Sequence, residues 1–173
     1  MSAVTIRPLE KDDSLDLFHF INRISKEDTY IRFAGEQITL PEEQAYVDSE
    51  LALMQQGDLV KLLCFVDDQL AGVVDIHRMI EYRTRKRHVG LLGLLVAKEF
   101  RGQGIGKKLL LECIAQAKEQ ISGLKMIQLE CFATNTAALA LYEKVGFREV
   151  GRVLGALLHK GEYVDEVVMV REM

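Results

Sequence analysis

The stretch Phe100–Ala117, FRGQGIGKKLLLECIAQA, sets an arginine and three alternate glycines ahead of a run with helical character. Glycine loses more backbone freedom on folding than any other residue, so alternate glycines imply that something must approach the main chain closely. The first N–H groups of a helix have no partner inside it and lie at the positive end of its dipole. Bare amides from Arg101 through Gly102, Gln103, Gly104, Ile105 and Gly106 are therefore expected to receive an anion, with the Arg101 guanidinium adding a fork of donors. The anion that fits is a diphosphate. A tight strand-to-helix turn is the structural alternative, and it needs positive φ at one glycine only. Spacing excludes two familiar phosphate loops. A Walker loop has four residues between its glycines and then Lys with Ser or Thr, whereas Gly102 and Gly106 enclose three and Lys107 precedes Lys108. A dinucleotide fingerprint reads Gly-x-Gly-x-x-Gly in the first βα turn, whereas this Gly-x-Gly-x-Gly lies past mid-chain.

A second chemical group is the carboxylate of Glu130 within MIQLECF. Strand alternation turns Ile127, Leu129 and Cys131 one way and Gln128, Glu130 and Phe132 the other. A carboxylate on an otherwise apolar strand is desolvated, which favours its neutral form and suits a general base. The alternatives are a charge that reaches solvent or pairs with Arg148, and a base supplied by Asp75, His77 or a chain of waters. Cys64, Cys113 and Cys131 stand far apart in apolar runs, which reads as buried reduced thiols, and no metal spacing is present.

These groups need a scaffold. VTIRPL (Val4–Leu9) reads as a strand, and Leu15, Leu17, Phe18, Ile21 and Ile24 follow helical spacing behind the caps Asp12–Ser14. A second helix begins at Thr39 with Pro41 in its first turn and ends at Gly57. KLLCFV and LAGVVDIH form a hairpin about Asp67-Asp68-Gln69, and RHVGLLGLLVA is a third strand whose continuous hydrophobicity predicts cover on both faces. The glycine turn, a helix over about Gly104 to Ile121, the strand KMIQLECF and a short helix capped by Asn135 and ended by Gly146 follow. Two strands about Lys160-Gly161 close the chain. The order predicts a mixed α/β (α+β) sheet with a strand–helix–strand crossover in its second half.

The 173 residues suit one domain over 1–173, with a core that needs no disulfide or metal. With 49% apolar and 28% charged residues and a net charge of −4, the chain is ordinary for a soluble protein and lacks the basic field of a non-specific nucleic-acid binder. The basic run RTRKRH (Arg83–His88) reads as a solvated hairpin loop. The N-terminus has no apolar core of signal-peptide length, and the longest uncharged apolar run, Val89–Ala97, is too short for a bilayer. A cytoplasmic protein with no membrane partner is expected.

RGQGIG after LLGLLVAKEF resembles the pyrophosphate-binding motif Arg/Gln-x-x-Gly-x-Gly/Ala of the GCN5-related N-acetyltransferase (GNAT) family. LECFATNTAALALYEKVGF (Leu129–Phe147) resembles that family's Asn-x-x-Ala-x-x-x-Tyr-x-x-x-Gly-Phe signature, in the right order and spacing. The resemblance implies a largely antiparallel sheet whose central parallel strands splay apart around acetyl-CoA, used as acyl donor without a metal. It places the pantetheine arm on the backbone of Leu94, Leu95 and Val96, the diphosphate on Arg101–Gly106, and Asn135 and Tyr142 across the cofactor. It further implies direct transfer to a primary amine in a ternary complex, with Tyr142 protonating the departing sulfur. The segment also resembles ribosomal-protein alanine acetyltransferases, which carry a base at the position of Glu130, whereas HVGLLGLLV lacks the central-strand glutamate of many small-amine enzymes. That absence keeps a non-catalytic acyl-CoA sensor as the alternative. SKEDTYIRF and HKGEYVDEVVM resemble the acceptor-side loop and closing hairpin of members that acylate amino acids and polyamines; Glu27 and Asp28 could draw a cationic amine and Arg32 could hold a carboxylate. Protein N-termini are the other acceptor class, and family members are often homodimers.

Overall fold

The computed structural model describes residues 3–27, 30–79 and 84–173. Seven strands form one sheet in the order β1-β2-β3-β4-β5-β7-β6. They are β1 Val4–Pro8, β2 Leu59–Val66, β3 Gln69–Arg78, β4 Val89–Val96, β5 Met126–Phe132, β6 Arg148–His159 and β7 Glu162–Glu172. The helices are α1 Ser14–Ser25, α2 Leu40–Gln56, α3 Ile105–Gln120 and α4 Thr136–Lys144. The element order agrees with the sequence expectation throughout. Only β4 and β5 run parallel, joined through α3; every other neighbouring pair is antiparallel.

Local chemistry explains the boundaries. Thr39 and Glu42 make a reciprocal capping box with Pro41 in the first turn of α2, and Gly57 closes the helix at φ 72°. The β2–β3 hairpin turns through Asp67 and Asp68, both at positive φ, and the β6–β7 hairpin through Lys160 and Gly161. Within α1, Leu17, Phe20 and Ile24 carry the buried stripe, whereas Leu15 is exposed. Its inner face falls on Leu17, Phe20 and Ile24 rather than on Leu15, and just before it the N-cap Asp13 pairs with Arg7 at 2.6 Å.

Sheet alternation separates two cores. Val60, Leu62, Cys64, Val74 and Ile76 meet Leu109, Leu110, Cys113 and Ile114 of α3. On the opposite face Leu63, Leu70 and Val73 meet Leu17, Phe20, Ile24 and Val47 of α1 and α2. Each fully buried aliphatic side chain contributes about 1.5–3 kcal/mol, so these two layers hold β2–β4 rigidly in place. All three cysteines are free and buried, as their apolar surroundings predict. Thr84–His88 form turns between β3 and β4, and Arg85, Arg87 and His88 are exposed. This fits the solvated loop expected there; Arg83 lies outside the described residues.

Candidate active site

β4 and β5 pair only at Val89–Met126, Gly90–Ile127 and Leu91–Gln128. Beyond Leu91 they part, although β3 continues along β4 to Val96 and β7 along β5 to Phe132. The gap is a cleft of about 580 Å³ lined by Leu92–Val96 on one side and Glu130–Phe132 on the other. It corrects one expectation: β4 is buried at Val89 and Gly90 but only half-buried over Gly93–Val96, because β5 departs there and nothing replaces it. The β4 backbone on that side is thus left without a strand partner. The side chains of Leu94 and Val96 have structural work of their own, packing beneath the Gly106 turn.

α3 opens onto the same cleft, with Gly104 as its N-cap and Lys108 N–H the first to return to the Gly104 carbonyl, at 3.1 Å. The amides before it face the opening, and Arg101, Gly102, Gly104, Gly106 and Lys107 line it. The glycines, however, all have a conformational reason. Gly102 and Gly104 adopt φ 75° and 82°, with open space where a Cβ would stand. A Cβ on Gly106 would meet Leu141 at 3.4 Å and Val96 at 3.5 Å. Three glycines therefore do follow from the turn and its packing, contrary to the sequence argument, and the anion site rests on the open helix terminus. Ile105 is buried beneath it, and Gln103 donates to the Glu99 carbonyl at 2.7 Å. The Arg101 guanidinium is folded back, donating to the Val96 carbonyl at 2.8 Å and to Glu27 at 2.9 Å. Glu27 is thereby tied to this end of the cleft rather than free to draw an amine, and Asp28 lies outside the described residues. Arg32 is exposed and packs over the Phe33 ring at 5.6 Å, away from the cleft lining.

α4 supplies the opposite wall. Asn135 caps it, its side-chain oxygen accepting from Ala138 N–H at 3.3 Å, so its remaining amide group borders the cleft. Tyr142 lines the cleft while only 8% exposed, its ring edge-on to Phe147 with centroids 5.9 Å apart. Burial pushes its phenol well above the ordinary value, with the neighbouring Cys131 adding to the effect, so the hydroxyl stays protonated and can donate. Cys131 is pushed up to about 11 by burial, which makes it inert as a nucleophile near neutrality.

The carboxylates lie on the other face of the sheet. Ile127, Leu129 and Cys131 join the α3 core, and Glu130 projects to the α1–α2 side as alternation predicts. Glu130 is exposed, so the desolvation expected of it is absent; its contact is the Gln128 amide at 3.4 Å, and Arg148 pairs with Glu172 at 3.6 Å instead. Of the rival bases, Asp75 sits 3.2 Å from His77, over Gly93 and near the buried Lys61, and neither lines the cleft. A carboxylate that sequence reasoning missed does line it: Glu166 of β7, opposite Phe132. Burial, and then the charge of Glu130, hold its carboxyl above the usual range. Its signal was an acidic residue, next to Asp165, at the head of the apolar run VVMV. Tyr30 and Ile31, between α1 and α2, complete that end, with Tyr30 donating to the Thr134 carbonyl at 3.3 Å.

The open β4 backbone, the bare amides of α3 and a cleft of this volume fit a pantetheine arm with its diphosphate. Among the described residues no group of three or more potential ligands is placed to hold a metal ion, and no helix is long and apolar enough to cross a membrane. Residues 19–147 match the acetyltransferase (GNAT) family model. The chain is 28% identical to the L-amino acid N-acetyltransferase AaaT of Escherichia coli over 69% of its own length and 72% of that protein's. It is 29% identical to an N-alpha-acetyltransferase of Saccharolobus solfataricus over 90% of this chain and 91% of that one. A GNAT-family acetyltransferase structure from Streptococcus pneumoniae superposes with a TM-score of 0.89 at 29% identity, covering 99% and 100% of the two chains. The yncA structure from Salmonella typhimurium, solved with its cofactor acetyl-CoA, shares the fold at a TM-score of 0.85 and 18% identity, covering 98% of this chain and 94% of that one. With the family match spanning most of the chain and the parted strands where its cofactor cleft belongs, the chain belongs to the acetyltransferase (GNAT) family, whose enzymes take the acyl group from acetyl-CoA.

Proposed function

We propose that this protein transfers an acetyl group from acetyl-CoA to a primary amine, by direct attack in a ternary complex. The observation that carries the reading is one continuous cleft. It joins the open amides of α3 and the buried phenol of Tyr142 to carboxylates on the far face of the sheet. The names of the amino-acid and N-alpha acetyltransferase relatives support amines of those classes; polyamines stand beside them on the likeness of SKEDTYIRF and HKGEYVDEVVM to polyamine-acylating members.

Acetyl-CoA supplies the acyl thioester. The Arg101–Gly106 turn and Lys107 hold its diphosphate on helix amides, and the backbone of Leu94, Leu95 and Val96 aligns the arm. An N–H near Leu95 or Val96 faces the acyl oxygen and stabilises the charge that develops there. Tyr142 donates its proton to the sulfur, and Asn135 borders the donor from the same side. The acceptor enters from the opposite face, where a carboxylate receives its proton; an amine with pKa near ~10 is otherwise charged and unreactive at neutral pH. Glu130 is one such carboxylate. The protein works as one domain in the cytoplasm, and the exposed apolar edge of β6 supports a homodimer.

The test is free-thiol titration during incubation with acetyl-CoA and a panel of amino acids, polyamines and peptides. Release of one thiol per acetylated amine, and none without an amine, is expected. Tight coenzyme binding with no release under any acceptor would instead mark a sensor.

A further inference from the structure

The two ends of the cleft carry opposite charge. Among the described residues that line it, the permanent cations Arg101 and Lys107 both lie at the start of α3, whereas the far end holds Glu130 and Glu166. Register fixes that pair. Glu130 stands opposite Val168 and Phe132 opposite Glu166, so the two carboxylates are diagonal neighbours on one face of the β5–β7 ladder. Glu166 is half-buried and makes neither a salt bridge nor a side-chain hydrogen bond among the described residues; Glu130 meets only the Gln128 amide. Across this diagonal the charge of Glu130 acts unfavourably on the ionised Glu166, while Arg148 and Arg32 are engaged with Glu172 and Phe33.

Two independent features say what relieves that repulsion. The Tyr142 hydroxyl, in a side chain more than nine-tenths buried, lines the same cleft with no hydrogen-bond partner among the described residues. In the proposed mechanism it reaches the departing sulfur, and the carboxylate pair lies on the opposite face of the sheet from it, at the other end of the same cleft. Beside the pair stands an aromatic wall. Tyr30 is 5.4 Å from Phe132 and stacks on His159 at 4.8 Å, and Phe132 meets His159 at 5.6 Å. Aromatic faces attract cations, and their apolar bulk suits an organic one.

We propose that the acceptor is an amine with no free carboxylate beside it, such as a peptide N-terminus, an amide-blocked amino acid or a diamine, with its ammonium seated against Glu130 and Glu166. This rests on the N-acetyltransferase reading above. A free α-amino acid carries its carboxylate one carbon from the ammonium, against two carboxylates and, among the described residues, with no arginine or lysine lining that end. Among the described residues, Tyr30 and His159, stacked on each other beside Phe132, are the other titratable groups on that side.

The experiment pairs each of several L-amino acids with its own C-terminal amide, adds putrescine, and measures calorimetric binding to the protein saturated with CoA. Thiol release from acetyl-CoA is followed in parallel. Amides are expected to bind about 10- to 100-fold more tightly than the matching acids. Glu166→Gln, shown to be folded by its melting curve, should reduce that ratio several-fold. Equal or tighter binding of the free acids, or binding of neither amides nor putrescine, overturns the proposal; the wild-type comparison needs no variant. Thiol release with acids and amides alike would leave the transferase reading standing without it. Amide-selective binding with no release would sink the transferase reading alone.

Discussion

The acid role proposed for Tyr142 depends on its burial. A phenol whose ionisation is pushed up by a dry site stays a donor across the neutral range, while its ring packs on Phe147 and helps close the core. Tyr142→Phe keeps the packing and removes the proton, so turnover should fall about 100-fold or more with coenzyme affinity within about twofold. Steady-state rates set against calorimetric coenzyme binding check this, and unchanged turnover removes Tyr142 from the acid role. Glu166 makes a pH prediction. Its carboxyl is raised first by burial and second by the negative charge of Glu130, with Tyr30 and His159 the other titratable groups at that end among the described residues. It must be ionised to hold an ammonium, so the rate falls as pH drops through its raised value. Glu130→Gln deletes one of the two causes, which moves the acid limb of kcat/KM to lower pH. Disappearance of the limb together with the rate would make Glu130 itself the base.

At the level of elements, α3 anchors the site because its buried face is deeply held. Leu109 and Leu110 are fully buried, and Leu109 lies close beneath Gly72 of β3. Leu109→Ala should cost about 2–5 kcal/mol in denaturant unfolding while leaving coenzyme stoichiometry intact in the folded fraction. Much of this layer was legible in the sequence. The capping box at Thr39, the aspartate turn at Asp67–Asp68 and the Asn135 cap are local devices whose geometry follows from a few adjacent residues. What was not legible depends on neighbours distant along the chain. β7 inserts between β5 and β6, and only that pairing carries Glu166 to the cleft and leaves Glu130 open to solvent. The glycine turn was placed correctly but reasoned incompletely, since positive φ at Gly102 and Gly104 and close packing at Gly106 appear only once Leu141 and Val96 are in position. The tether of Arg101 to Glu27 joins residues too far apart in the chain for pattern to reveal.

Across the whole molecule, the sheet is closed unevenly. β2–β4 are sandwiched by helices, whereas β6 is an edge strand with Leu154 80% and Leu158 65% exposed, continued by Tyr163 of β7 at 79%. A long apolar edge left to water invites pairing with another chain. The homodimer reading predicts that sedimentation at micromolar concentration gives twice the chain mass and that Leu154→Asp returns it to the chain mass; a monomeric wild type contradicts it. The same asymmetry leaves the cleft at the junction between the rigid half and the hairpin half, where coenzyme can enter from the α3 face and acceptor from the other. That cleft is the centre of the account, and titrating acetyl-CoA into the folded protein by calorimetry tests it most directly. Saturable binding at one coenzyme per chain is predicted; the absence of any heat of binding with both acetyl-CoA and CoA would contradict it.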